Sequence, residues 1–145
     1  MSLTSKYLVR AADVPSYSPA NHNSTSNQRL IGPETVDAKR MEVLLGTLHK
    51  GGGALPHAHP GLEQACYLLE GAAEVSIGGD TFQMVPGEMC FFPENELHVF
   101  TVTSDDPVKL LVIYSPPYGE DPAKVIRTSP ADQARALPED RAGFN

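Results

Sequence analysis

From Met41 to Tyr114 glycine and proline cut the chain at short, regular intervals, and that punctuation limits what it can fold into. Turn-forming stretches stand at Lys50–Gly53, Gly71–Ala72, Gly78–Asp80, Pro86–Glu88, Pro93–Leu97 and Ser104–Pro107. Between them lie runs rich in β-branched, aliphatic and aromatic residues: Met41–Leu48, Ala65–Glu70, Ala73–Ile77, Thr81–Val85, Met89–Phe92, Val99–Thr103 and Val108–Tyr114. Short strands with turn signals about every 8–12 residues indicate a β-sandwich or barrel. Gly78 and Gly79 allow the positive φ of a tight hairpin between two of these strands. The triple glycine Gly51–Gly53 is a turn and not a phosphate loop, because no Gly-Lys-Ser/Thr follows it.

The flanks are less regular. Residues 3–12 alternate weakly through Tyr7 and Val9, which suits an edge strand, until Pro15 breaks the ladder. Residues 15–27 are polar and turn-rich, and His22 within them reads as a solvated loop histidine. Gln28–Ile31 is a short strand ended by Gly32-Pro33. Pro116-Pro117 closes the regular region, and the tail from Gly119 is polar, with a short helix over Ala131–Leu137. The organisation expected is an N-terminal strand and loop (1–40), a core (41–114) and a partly helical or loose tail (115–145) within one domain of 145 residues.

The net charge of −7 argues against duplex nucleic acid and anionic membranes as partners. No apolar run approaches the ~20 residues of a membrane span. The N-terminus MSLTSKYLVR lacks the apolar stretch of a secretory signal, so a cytoplasmic protein is expected. In a reducing compartment Cys66 and Cys90 read as two small buried hydrophobes.

The chemistry concentrates in Gly51–Gly71, GGGALPHAHPGLEQACYLLEG. His57 and His59 are two apart, so on a strand both imidazoles face one side. Neutral imidazole is the commonest side-chain ligand for transition metals. His98 lies far downstream, behind Pro86-Gly87 and a short apolar run, and His22 and His49 fall outside the pattern.

These two segments resemble the two motifs of the cupin superfamily, small β-barrels of jelly-roll type. The first motif runs Gly, five residues, His-x-His, three or four residues, an acidic or amide ligand, six residues, Gly. It is matched by Gly51, His57, His59, Glu63 or Gln64, and Gly71. In the second motif Pro86, Gly87 and His98 match behind Gly78 or Gly79, while the asparagine four residues after the histidine is replaced by Val102. The resemblance covers roughly residues 40–114. It implies an all-β jelly-roll barrel (a double-stranded β-helix) in a single domain, and a divalent transition metal (Zn, Ni, Mn or Fe) held by His57, His59, Gln64 and His98. It also implies a homodimer, in which a strand at Tyr7–Ala11 adds to the partner's sheet edge.

Glu63 and Gln64 compete for the fourth place. Three residues from His59 points to Glu63, and six residues back from Gly71 points to Gln64. The second count is preferred, because the period of the following strand sets Gln64, Cys66 and Leu68 on its inner face. Three imidazoles and an amide leave the charge of a divalent cation uncompensated, which suits an anionic small-molecule substrate. The expected function is Lewis-acid catalysis on a small carboxylate or keto/hydroxy compound. An iron-dependent dioxygenase and a non-catalytic ligand-binding module are the alternatives. No catalytic residue is assigned; Tyr114, Arg29 and Cys66 are candidates for neighbours of the metal.

Overall fold

The computed structural model describes residues 5–19, 22–53 and 56–127. Strand β5 (Glu63–Glu70) shows how the sequence makes the fold. Its side chains alternate between outward and buried, with Gln64, Cys66 and Leu68 turned inward and Glu63 exposed. Strand β10 (Val108–Ser115) does the same with Val108, Leu110, Val112 and Tyr114. A strand whose every second side chain is apolar must lay that face on another apolar face. The two strands pair antiparallel, with Cys66 opposite Val112 and Gln64 opposite Tyr114.

Nine further strands among the described residues complete two sheets. They are β1 (Ser16–Tyr17), β2 (Asn23–Ile31), β3 (Glu42–Gly53), β4 (His57–Ala58), β6 (Ala73–Ile77), β7 (Asp80–Met84), β8 (Met89–Phe92), β9 (His98–Val102) and β11 (Ile126–Arg127). One sheet has the order β1-β2-β3-β10-β5-β8 and the other β11-β4-β9-β6-β7. Every pairing is antiparallel. Leu44, Leu48, Leu68, Val75, Met84, Phe92, Phe100, Val108 and Leu110 fill the space between the sheets. Each such side chain contributes about 1.5–3 kcal/mol when fully buried.

Among the described residues no strand of one sheet is hydrogen-bonded to a strand of the other. The expected closed barrel is therefore corrected to two facing sheets, consistent with a jelly roll. Among the described residues helix is almost absent: a single turn at Pro33–Val36 and two 3-10 turns, Ala11–Asp13 and Pro122–Lys124.

The hairpin at Gly78-Gly79 forms as expected, with Ile77 opposite Asp80 and Gly78 at φ 57°. At the end of β5, Gly71 has φ 88°, and a Cβ there would lie 2.9 Å from Val108 Cγ2 and 3.0 Å from the Pro107 carbonyl oxygen. Only glycine fits that corner.

Three further expectations need correcting, two of them in the N-terminal flank. Residues 5–10 form no strand within this chain, and Ala11 begins a 3-10 turn, where an edge strand was expected. Most of the supposed loop at 15–27 is strand, in β1 and a nine-residue β2. The glycines at 51–53 continue β3 and do not form a turn. The helix expected at 131–137 lies outside the described residues. Cys66 and Cys90 face each other across β5 and β8, buried and unbridged, and burial pushes the Cys66 thiol up.

Candidate metal centre

Two short strands bring the distant histidines together. Strands β4 and β9 pair with His57 directly opposite His98. His59 follows β4 immediately and keeps the same facing, as residues two apart do. The rings lie 4.5 Å (His57–His98), 5.0 Å (His57–His59) and 5.6 Å (His59–His98) apart between centroids. One ligand nitrogen from each of the three falls within 4.8 Å of the others, and all three residues are buried, so this cluster could hold a metal ion.

The backbone sets which nitrogen faces the cavity. His59 Nδ1 lies 2.8 Å from the carbonyl oxygen of Lys124, and His98 Nδ1 lies 3.2 Å from that of Glu96. A carbonyl only accepts, so each Nδ1 carries the proton and donates it, and each Nε2 keeps its lone pair. Both Nε2 atoms are buried and have no hydrogen-bond partner. A histidine whose far nitrogen is tied to a carbonyl while its near nitrogen is bare is the arrangement of a metal ligand. Phe92 stacks on the His98 ring at 4.1 Å and 19°. Tyr118 and Tyr114 pack on His59 at 4.7 and 5.5 Å.

Charge agrees with this. Burial, and then the nearby His59, push His98 down to about 3. His59 is lowered chiefly by burial, with Arg127 adding to it. His59 and His98 are thus neutral donors at pH 7, the form a cation requires.

Gln64 is buried on the wall of the same cavity. Its Nε2 donates to Cys66 Sγ at 3.5 Å, and its Oε1 is buried without a partner. Glu63 is exposed on the opposite face of β5. The facing expected for Gln64, Cys66 and Leu68 is therefore what the fold adopts. The donors present, imidazole nitrogens and an amide oxygen with bare lone pairs, fit a divalent transition metal.

Sequence reasoning missed part of the site. His22 is not a solvated loop residue. It lines the cavity with its ring centroid 6.2 Å from His57, and burial, Arg127 and His59 push it down to about 4. His49, also outside the pattern, is exposed. Residues 118–127, expected to belong to a loose tail, form one wall. The Tyr118 and Gly119 amides donate to Glu42 Oε1 at 2.9 and 2.8 Å. The other oxygen of Glu42 accepts from Arg29 Nε, and Arg29 also bonds Glu34 at 2.7 Å. Arg29 is thus no neighbour of the metal centre; it anchors the carboxylate that fastens this wall. Strand β11 then pairs with β4, Ile126 against Ala58 and Arg127 against His57. The cavity so enclosed has a free volume of about 30 Å³, room for an ion and a water or two.

Comparison with known proteins gives the arrangement its family. Residues 44–114 match the model of the cupin domain. The chain belongs to the cupin superfamily. Among sequence relatives, this cupin is 27% identical over 111 residues to polyketide synthase CurC of Streptomyces cyaneus, covering 77% of this chain and 72% of that one. Among solved structures, the polyketide cyclase RemF of Streptomyces resistomycificus superposes with a TM-score of 0.71 at 24% identity, over 90% of this chain and 93% of that one. A predicted oxalate decarboxylase from Thermotoga maritima superposes with a TM-score of 0.66 at 19% identity, over 76% of this cupin and 99% of that chain. Among the described residues no helix is long and apolar enough to cross a membrane.

Proposed function

We propose that this cupin is a metal-dependent enzyme acting on a small keto substrate that carries two carbonyls flanking one carbon, which it activates for enolisation and ring closure. The observation that carries this reading is the set of bare, buried lone pairs on His59 Nε2, His98 Nε2 and Gln64 Oε1. With His57 they are the groups that would hold a divalent transition metal. Such an ion, when bound, supplies a Lewis acid that polarises a carbonyl oxygen and acidifies the adjoining C–H. Likeness in sequence to a polyketide synthase protein favours a poly-keto substrate over a simple diacid.

The chain's own side chains supply the rest. Tyr114 and Tyr118 line the cavity, with burial raising both hydroxyls, Tyr118 to about 12. Both stay protonated at pH 7 and can donate to a substrate oxygen. His22 is the imidazole of the cavity outside the ligand set, and it is the side chain we assign to take the proton from carbon. The wall at 118–127 keeps bulk water away, and a substrate of several carbons enters only as that wall yields. Association as a homodimer is part of the proposal, with the open edge of β8 as its support, where Met89 and Phe91 are 55% and 51% exposed.

Elemental analysis of protein purified without added metal, followed by proton–deuterium exchange of acetylacetone in D2O, tests this reading. The metal-loaded protein accelerates exchange at the central carbon, and His98→Ala abolishes the acceleration. Exchange at the background rate with metal bound, or oxygen uptake on iron loading in its place, overturns it.

A further inference from the structure

The cavity contains a cationic side chain that metal binding does not use. Arg127 stands opposite His57 across β11 and β4. Opposite residues on paired strands project from one face with Cβ atoms about 4.5–5.5 Å apart. His57 lines the cavity, and so does Arg127. The Nη1 atom of Arg127 is buried and has no hydrogen-bond partner. Glu120 is the carboxylate on the same wall, and Nη1 makes no hydrogen bond to it. A guanidinium cannot escape by losing its proton, so a bare buried nitrogen on it is a standing cost. Its field is felt across the cavity, where it lowers the proton affinity of His22 and His59. Among the described residues, no other side chain of the cavity wall is a lysine or arginine.

We propose that Arg127 is a specificity-determining residue whose guanidinium receives a carboxylate carried by the substrate, next to the carbonyl that is activated. This inference rests on the keto-substrate reading above. The planar fork of arginine matches a carboxylate with two parallel N–H donors, and the confined cavity suits that small anion better than a phosphate. A neutral ester in its place leaves the guanidinium unpaired, so acid and ester should differ by about 10- to 100-fold in affinity.

Acetopyruvate and its methyl ester test this, because both present the same pair of carbonyls and only one carries the charge. Titration calorimetry on the zinc-loaded full chain should show the acid binding at least about tenfold tighter than the ester. Arg127→Gln should remove that preference with the ester's affinity unchanged, and Arg127→Lys should retain part of it. A second measurement uses metal-free protein. The Arg127 Nε resonance, identified by its loss in Arg127→Gln, should shift saturably with acetate and not with chloride at equal ionic strength. A preference that survives in Arg127→Gln, or a resonance indifferent to acetate, overturns the inference. If acetate titrates Arg127 while neither dicarbonyl binds the zinc form, the keto-substrate reading falls and the carboxylate pocket stands.

Discussion

Acidification should unfold the metal-free protein well above the pH at which carboxylates titrate. An unfolded histidine has a pKa near 6.5. In the fold, burial holds His98 at about 3 and His22 at about 4. Above pH 6.5 both states are neutral and the two groups cost nothing. As pH falls below 6.5 the unfolded chain takes up protons that the folded chain refuses, so stability is lost, and the loss levels off only near pH 3–4. Between pH 7.5 and 5.0 each such imidazole removes about 2 kcal/mol, hence about 4 kcal/mol for the pair. His59 is displaced in the same direction and adds to this. For a domain whose total stability is about 5–15 kcal/mol, that is a large fraction. Asp and Glu, near 4 when unperturbed, have scarcely begun to protonate at pH 5, so the window isolates the histidines. Urea unfolding in the presence of a chelator measures it. Tyrosine fluorescence is the natural probe, since the chain has 5 tyrosines and no tryptophan. The midpoint should fall by about 2 M urea between the two pH values. His98→Asn should remove roughly half of that fall. A midpoint that is unchanged at pH 5.0, or a full fall in His98→Asn, refutes the argument.

Two further outcomes are expected. Gln64→Ala should weaken zinc affinity more than Glu63→Ala, because Gln64 faces the cavity and Glu63 faces solvent; metal titration giving the opposite order would remove Gln64 from the ligand set. Glu42→Gln should cost about 3 kcal/mol, the low end for breaking a buried pair because Arg29 keeps Glu34. Thermal unfolding should then shift by about 10 °C, and a shift below about 2 °C would show that the Glu42 clamp contributes little.

Much of the fold can be read in the sequence wherever the core is apolar. The strands from Glu63 to Ser115 fall within a residue or two of expectation, because alternate positions are hydrophobic and glycine or proline ends each run. Their inward facing also delivers Gln64 and Cys66 to the cavity side. Strand β2 escaped for the converse reason. Its inward residues Thr25 and Asn27 are polar because they line a cavity, so Asn23–Gln28 shows no hydrophobic period and looks like a loop. His22, at the head of that strand, was lost with it. The segment 118–127 is polar on the same ground. What fixes it is the buried carboxylate of Glu42 some 76 residues earlier, a contact with no local signature. Closure of the barrel depends on hydrogen bonds between sheets, which strand patterns do not encode.

The cupin match ends at residue 114, four positions before the segment that shuts the pocket begins. A gene trimmed to the family boundaries would thus keep the three histidines that could hold an ion while discarding β1, β2, Glu42, Tyr118, the carbonyl that orients His59, and Arg127. The trimmed product would be a vessel without a stopper, with its histidines open to any passing chelator. By the same logic, grafting the final stretch of one such protein onto the sandwich of another offers a way to redirect what the pocket accepts, so long as the carbonyl that orients His59 is kept.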